Sequence, residues 1–445
     1  MALASHRDFL AQEARALLTR LARVKPLALQ ETMVPAAALP PAAQAGIERH
    51  LAAGRRELGA RVRAFLTWLE GPDGEAALAA EAQRRFTALR MRFTAVLAQL
   101  DVFADVLTQR SEFETGPWLA GLDAAAADAL ALPGRYYDPP PLVCYVDRGH
   151  GAAIRRARTR LPGGGESPAG VIRIPRERMV GVGIASSLVH EVGHQAAALL
   201  DFVGTLRPRL AAAAAAAGDL APAWAMWSRW LGEIVADAWA VARVGVAGPL
   251  GLIGVVSLPR AFVFRIGVDE PHPFPWIRVR LAVAFGRALW PHPQWDKLDR
   301  LWLELYPPTG LDEARARAIA MLDATMPALV AAVLDHRPPA LRGSRLRDAF
   351  DLAERSPERL RAAFRDWRRG PVAAASAAPS FAFAVLGQAR ADGALSAEAE
   401  GRATARLLTS WALRRALSPA PPERPARVRR TAIPSIVGEY YANHA

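Results

Sequence analysis

Cysteine is almost absent from this chain of 445 residues, since Cys144 is the only one. A single cysteine excludes an intramolecular disulfide, a Cys-x-x-Cys redox pair and a metal site built from cysteines. Residues 1–24 follow an amphipathic helical pattern and lack the uncharged apolar core of a secretory signal. We therefore expect a cytoplasmic, soluble protein in a reducing compartment.

Long apolar runs are also scarce. The longest one, residues 244–258, has fifteen residues and is interrupted by glycines and by Pro249. A helix that crosses a membrane needs about 20 predominantly apolar residues. The sequence therefore predicts no membrane span.

Lysine is nearly absent as well, because Lys25 and Lys297 are the only lysines among 56 cationic residues. Arginine thus carries the net charge of +13, which is large enough to attract nucleic acid or anionic lipid. The arginines are spread along the chain, however, without the clustered footprint of nucleic-acid-binding proteins. Nucleic acid is therefore not the expected main partner.

Apolar residues make up 52% of the chain, which favours a folded protein. The predicted fold class is α+β and helix-dominated, because helical patterning surrounds two short strand-like runs at residues 142–146 and 171–174. The predicted regions are a helical N-terminal region, a core, a helical C-terminal region, and a proline-rich linker with a tail: 1–130, 131–310, 311–417 and 418–445. The helical flanks or the tail could bind a protein partner, and residues 426–445 could also block the site of the same chain.

The segment 186–200, SSLVHEVGHQAAALL, contains the pattern His-Glu-x-x-His inside an apolar helical run. His190 and His194 are four residues apart, so a helix presents both imidazoles to one metal ion. Glu191 lies one position round the helix, where it can reach a metal-bound water as general base. Burying these three groups without partners would be costly, which favours a ligand set over core packing.

Zinc needs a third protein ligand and one open position for water. A second helical segment, residues 227–244, places Glu233 and Asp237 four residues apart on one face. Glu233 can supply the third ligand. Gly193 destabilises the helix locally by about 1 kcal/mol relative to alanine. We interpret a glycine at this position as a sign that a substrate or ion comes close to the helix there.

The sequences HEVGH at 190–194 and EIVAD at 233–237 resemble the gluzincin-type zinc metallopeptidases, whose second motif is Glu-x-x-x-Asp on the helix beside the zinc helix. The resemblance implies a zincin-like core at residues 131–310, zinc (Zn2+) as cofactor and hydrolysis of a peptide or protein substrate, with Glu191 as general base. It also implies that Glu233 ligates zinc and that Asp237 hydrogen-bonds a ligating histidine, which we assign as His190. A carboxylate in that place fixes the tautomer of the histidine. The two motifs cover only residues 188–241.

The substrate carbonyl needs a further donor for its developing negative charge. His272, in the segment VDEPHPFPWIRVRLA, is the first candidate, with a structural role in that proline-rich turn as the alternative. Tyr306, Tyr440 and Tyr441 are further candidates. The run VIRIP, residues 171–175, is expected to form the sheet edge along which an extended peptide binds by strand addition, with Pro175 at its end.

Two other functions remain open on the sequence. One is an inactive zincin-like scaffold or binding module, although an intact Glu191 argues against it. The other is a basic nucleic-acid-associated protein with structural zinc, which would bind its partner in a salt-dependent manner.

Overall fold

The computed structural model describes residues 5–24, 33–148, 151–161, 165–176, 181–267, 270–370 and 372–417. In these residues the protein is helix-dominated and carries one small sheet, so the α+β class is confirmed. The predicted linker and tail at 418–445, with Tyr440 and Tyr441, lie outside the described residues.

In the described residues the N-terminal part has five α-helices: α1 (His6–Leu21), α2 (Pro41–Glu70), α3 (Pro72–Ala76), α4 (Ala79–Thr108) and α5 (Thr115–Leu130). Helices α1, α2 and α4 share an apolar cluster of their own, to which Phe86 and Phe93 of α4 contribute. α5 packs instead on the sheet and on the C-terminal part of the chain. α2 and α4 also reach the sheet directly, through a further apolar cluster that joins Leu51 and Phe103 to Val143 and Val171.

The sheet has three strands: β1 (Leu142–Asp147), β2 (Ala153–Arg155) and β3 (Gly170–Pro175). β3 is the central strand, parallel to β1 with Cys144 opposite Ile172, and antiparallel to β2. Both predicted strands are present, and β3 ends at Pro175 as expected. The prediction that this strand forms the sheet edge is wrong, because strands pair with it on both sides.

Side chains close the outer edge of β1. The backbone of Val146 donates to Gln109 Oε1 at 2.8 Å and accepts from Gln109 Nε2 at 2.7 Å. The Cys144 N–H donates to Asp123 Oδ1 at 2.7 Å, and the Cys144 carbonyl accepts from Arg110 Nη2 at 2.6 Å. Because an edge strand pairs through these backbone groups, β1 is protected against adding another strand.

The remainder of the described chain is helical: α6 (Gly181–Leu199), α7 (Phe202–Ala216), α8 (Ala221–Arg229), α9 (Leu231–Val244), α10 (Ala247–Val256), α11 (Arg260–Val263), α12 (Pro275–Leu289), α13 (Gln294–Leu305), α14 (Glu313–Leu334), α15 (Pro357–Arg369), α16 (Val372–Ser376), α17 (Pro379–Ala391) and α18 (Ala397–Leu417). α6 is central, since it contacts α5, α9, α10 and α17 as well as β2 and β3. A helix enclosed in this way is held firmly on most sides, which suits it to position functional groups.

One apolar core runs from Leu119 to Trp411 and therefore joins residues from three of the predicted regions. The predicted boundaries at 130 and 310 stay predictions, and both lie within the stretch of chain that this core spans.

One described helix, α14, is long and apolar enough to cross a membrane by length and composition alone. The sequence does not show this helix as one long apolar run, because Asp323 interrupts it. α14 packs on α7, α8 and α12 and buries eight residues against them, among them Leu322, Leu329 and Val333. Fewer than half of the residues of α14 are buried, so its length and composition alone do not assign it to a membrane or to the core, and the cytoplasmic location stays a prediction.

Candidate metal centre

Helix α6 carries the His-Glu-x-x-His pattern in its middle, as the sequence predicts. The rings of His190 and His194 lie 4.8 Å apart between centroids and nearly perpendicular, at 87°. The His190 side chain is 13% exposed and that of His194 is 22% exposed, while Glu191 is buried. The helix therefore presents two accessible imidazole edges with a carboxylate beside them.

Gly193 allows the neighbouring helix α9 to come close. A Cβ atom at this position would lie 2.8 Å from Ala236 Cα and 2.9 Å from the Ala236 carbonyl oxygen, far inside ordinary contact distance. Any larger residue would push the two helices apart. Helix packing therefore explains Gly193, and the interpretation as a site of substrate or ion approach is not supported.

The close packing of α6 and α9 brings Glu233, in the first turn of α9, against both histidines. Glu233 Oε2 lies 3.2 Å from His190 Nε2, and Oε1 lies 3.3 Å from His194 Nε2. One possible ligand atom from each of the three residues lies within 4.8 Å of the others. The three residues predicted as zinc ligands thus come together from two helices.

Glu233 Oε2 is buried and makes no hydrogen bond in the described structure. Burial alone would raise the pKa of Glu233, but the adjacent imidazoles of His190 and His194 lower it far below its ordinary value. The carboxylate is therefore ionised with a free lone pair directed at the histidines. A buried anionic oxygen needs positive charge nearby, and Arg278 Nη2, 3.6 Å away, and His190 supply part of it where a metal ion would contact the oxygen directly.

Asp237, one turn further along α9, accepts from the opposite nitrogen of His190, with 2.8 Å between Oδ1 and Nδ1. This is the contact expected of a carboxylate that orients a metal-binding histidine. Burial lowers the pKa of His190, but the Asp237 charge and hydrogen bonds outweigh it and raise that pKa to about 9. A proton and a metal ion therefore compete for this ring.

Arg278, near the start of α12, completes the cluster and was not identified from the sequence. Its Nε lies 2.7 Å from Asp237 Oδ2 and its Nη2 lies 2.9 Å from Asp237 Oδ1, which is a two-point contact. Burial opposes ionisation of Asp237, yet Arg278 and His190 together lower the Asp237 pKa to about 2. The only sign of Arg278 in the sequence is an arginine within an apolar helical segment. Arg280, two residues later, shows the same sign but forms an ion pair with Asp299 away from the site, so the sign alone does not identify a site residue.

His272 lies on the loop before α12 and reaches the cluster from outside. Its Nε2 is 3.3 Å from Glu233 Oε2, its Nδ1 is 2.7 Å from Glu270 Oε1, and its side chain is 46% exposed. Tyr306 does not reach the site, because its hydroxyl donates to the Leu258 carbonyl at 2.9 Å. Of the proposed oxyanion donors that the structure describes, His272 is thus the one near the histidines.

The charges of the described cluster match a divalent cation. Glu191, Glu233 and Asp237 supply three negative charges and Arg278 supplies one positive charge, which leaves two negative charges when the imidazoles are neutral. Two imidazole nitrogens and a carboxylate are also the donor set that zinc takes in catalytic sites with three protein ligands. The residues present therefore fit a zinc ion.

Comparisons of the chain with protein-family models, curated proteins and solved structures find no match. The geometry and chemistry of the residues therefore carry the functional argument.

Proposed function

We propose that this protein is a zinc metallopeptidase of the gluzincin type, with a zincin-like core, in which His190, His194 and Glu233 hold the metal. The observation that carries the proposal is the convergence of two imidazoles on the partly buried Glu233 carboxylate, whose Oε2 atom is buried without a hydrogen bond. The oriented pair of Asp237 and His190 adds the outer contact that metal sites use.

Zinc, when bound, would polarise a peptide carbonyl and lower the pKa of water towards about 7. Glu191 holds the position of the proton acceptor: it lies next to His190 on α6, is buried, and is not one of the three residues whose ligand atoms converge. Burial lowers the pKa of Arg278, but Asp237, Glu233 and, to a smaller extent, the negative charge of Glu191 raise it. In the proposed reaction Glu191 takes a proton from water and passes it to the leaving amine.

The second outer strand of the described sheet, β2, lies next to α6. The edge of β1 is closed by side chains, whereas β2 borders β3 on the other side. The N–H of Ala157, just after β2, donates to Gln195 Oε1 at 2.8 Å, and Gln195 is the residue after His194. The end of β2 is thus hydrogen-bonded to α6, and we assign to β2 the binding of an extended peptide by strand addition, which the sequence suggested for β3.

Hydrolysis of a mixed-sequence peptide pool tests the proposal, with cleavage followed by mass spectrometry. The full-length protein loaded with one equivalent of zinc should cut peptides, and Glu191→Gln at equal zinc content should cut them about 100- to 10,000-fold more slowly, because it lacks the proton acceptor. Equal rates in the two proteins would exclude Glu191 as the base. No cleavage by the wild type would favour a scaffold without peptidase activity.

A further inference from the structure

Among the residues that the structure describes, three imidazole rings direct a nitrogen towards Glu233. Besides the Nε2 atoms of His190 and His194, the Nε2 atom of His272 lies 3.3 Å from Glu233 Oε2. His272 is the only one of the three that lies outside the helix carrying the sequence motif. The predicted ligand set leaves it out.

Two of these rings have a carboxylate on the opposite nitrogen. Glu270 Oε1 lies 2.7 Å from His272 Nδ1, as Asp237 Oδ1 lies 2.8 Å from His190 Nδ1. Such a carboxylate keeps the ring proton on Nδ1 and leaves Nε2 with a lone pair. Two nitrogen lone pairs then face one carboxylate oxygen, Glu233 Oε2, which has no hydrogen bond of its own. These three atoms can face one metal ion, whereas without a metal a proton on His190 Nε2 and the Arg278 guanidinium, 3.6 Å from Glu233 Oε2, supply the positive charge.

His272 also differs from the helical histidines in its freedom to move. Its side chain is 46% exposed, and its ring does not belong to the set whose ligand atoms all lie within 4.8 Å of one another. The backbone of its loop is anchored, since Trp230 Nε1 donates to the Glu270 carbonyl at 3.1 Å. The ring can therefore approach or leave the metal site without rearrangement of the loop backbone.

We propose that His272 is an exchangeable fourth protein ligand of the metal, held in orientation by Glu270. The inference rests on the metal site of the proposed function. With His272 bound, four protein ligands close the site, as in structural zinc sites; with His272 withdrawn, three ligands remain and one position is open. The exchange gives the loop before α12 control over access to the metal.

X-ray absorption at the zinc edge tests this assignment on the full-length protein loaded with zinc. The wild type should show three imidazole ligands and His272→Ala should show two. Zinc affinity, measured by competition with a chelator, should fall about 10- to 100-fold in His272→Ala and by less in Glu270→Gln, which keeps the ring but loses its orientation. Glu191→Gln is the control, because it removes a neighbouring carboxylate that is not a ligand, and it should keep three imidazoles.

The inference would be overturned if X-ray absorption showed two imidazole ligands in both the wild type and His272→Ala, and if the two proteins bound zinc with the same affinity. The result separates this inference from the proposed function. Three imidazoles without peptide cleavage would support the ligand role and refute the peptidase. Peptide cleavage that depends on Glu191, together with only two imidazole ligands in the wild type, would support the peptidase and refute the ligand role of His272.

Discussion

Replacing Gly193 by alanine adds one methyl group where the helix of the two histidines crosses the helix of Glu233. The new Cβ would lie 2.8 Å from Ala236 Cα, whereas ordinary contacts begin at 3.4 Å. The helices must therefore separate by about 0.6 Å or more, because a packed interior has no spare volume. Overpacking costs about 1 to 3 kcal/mol, and the better helix propensity of alanine returns about 1 kcal/mol. The net loss of stability is thus modest.

The effect on the metal should be larger than the effect on stability. Ligand distances in metal sites are held within about 0.2 Å, and a misplacement of about 1 Å can lower activity about 100-fold. We expect Gly193→Ala to weaken zinc binding about 10-fold or more while the protein stays folded by circular dichroism. The matched control is Gly232→Ala, which adds the same methyl group beside Glu233 with nothing within 4 Å. Equal zinc affinities for the two variants in a chelator competition would refute the argument from helix packing.

Two further variants test the surroundings of the site. Asp237→Ala should lower zinc affinity about 10- to 100-fold through misorientation of His190, less than Glu233→Ala, and a loss equal to that of Glu233→Ala in the same chelator assay would make Asp237 a direct ligand. Glu400→Gln should change the pH dependence of stability: burial raises the pKa of Glu400 to about 7 from its ordinary 4.5, although Arg390 and the Val182 N–H at the start of α6 act in the opposite direction. The folded protein thus binds this proton more tightly than the unfolded chain does. Protonated Glu400 therefore adds about 3 kcal/mol to the free energy of unfolding below about pH 4.5, and this stabilisation is lost as the pH rises through 7. Urea unfolding at pH 5 and pH 8 should show this loss in the wild type only, and the same loss in both proteins would assign it to another group.

The local parts of the site follow from the sequence because they depend on spacing along one helix. His190, Glu191 and His194 on α6, and Glu233 with Asp237 on α9, lie where helical periodicity puts them. Their convergence needs the close contact at Gly193, which a single sequence does not reveal. From the sequence alone, Gly193 is recognised only as a residue of low helix propensity.

Other contacts could not be predicted because they join elements that are distant in the chain. Arg278 meets Asp237 from 41 residues away, and Glu270 orients a loop histidine. The place of β3 in the centre of the sheet depends on β2, a strand of three residues that is too short to give an alternating pattern. Such pairings are set by tertiary packing rather than by local propensity.

The most direct test of the central claim is an anomalous-scattering map at the zinc edge, from crystals of the full-length protein grown with one equivalent of zinc. We expect one peak per chain, about 2.0 to 2.2 Å from His190 Nε2, His194 Nε2 and a carboxylate oxygen of Glu233. A zinc peak bound by other residues would contradict the proposed metal centre. So would a map without a zinc peak in which His190 is hydrogen-bonded to both Asp237 and Glu233.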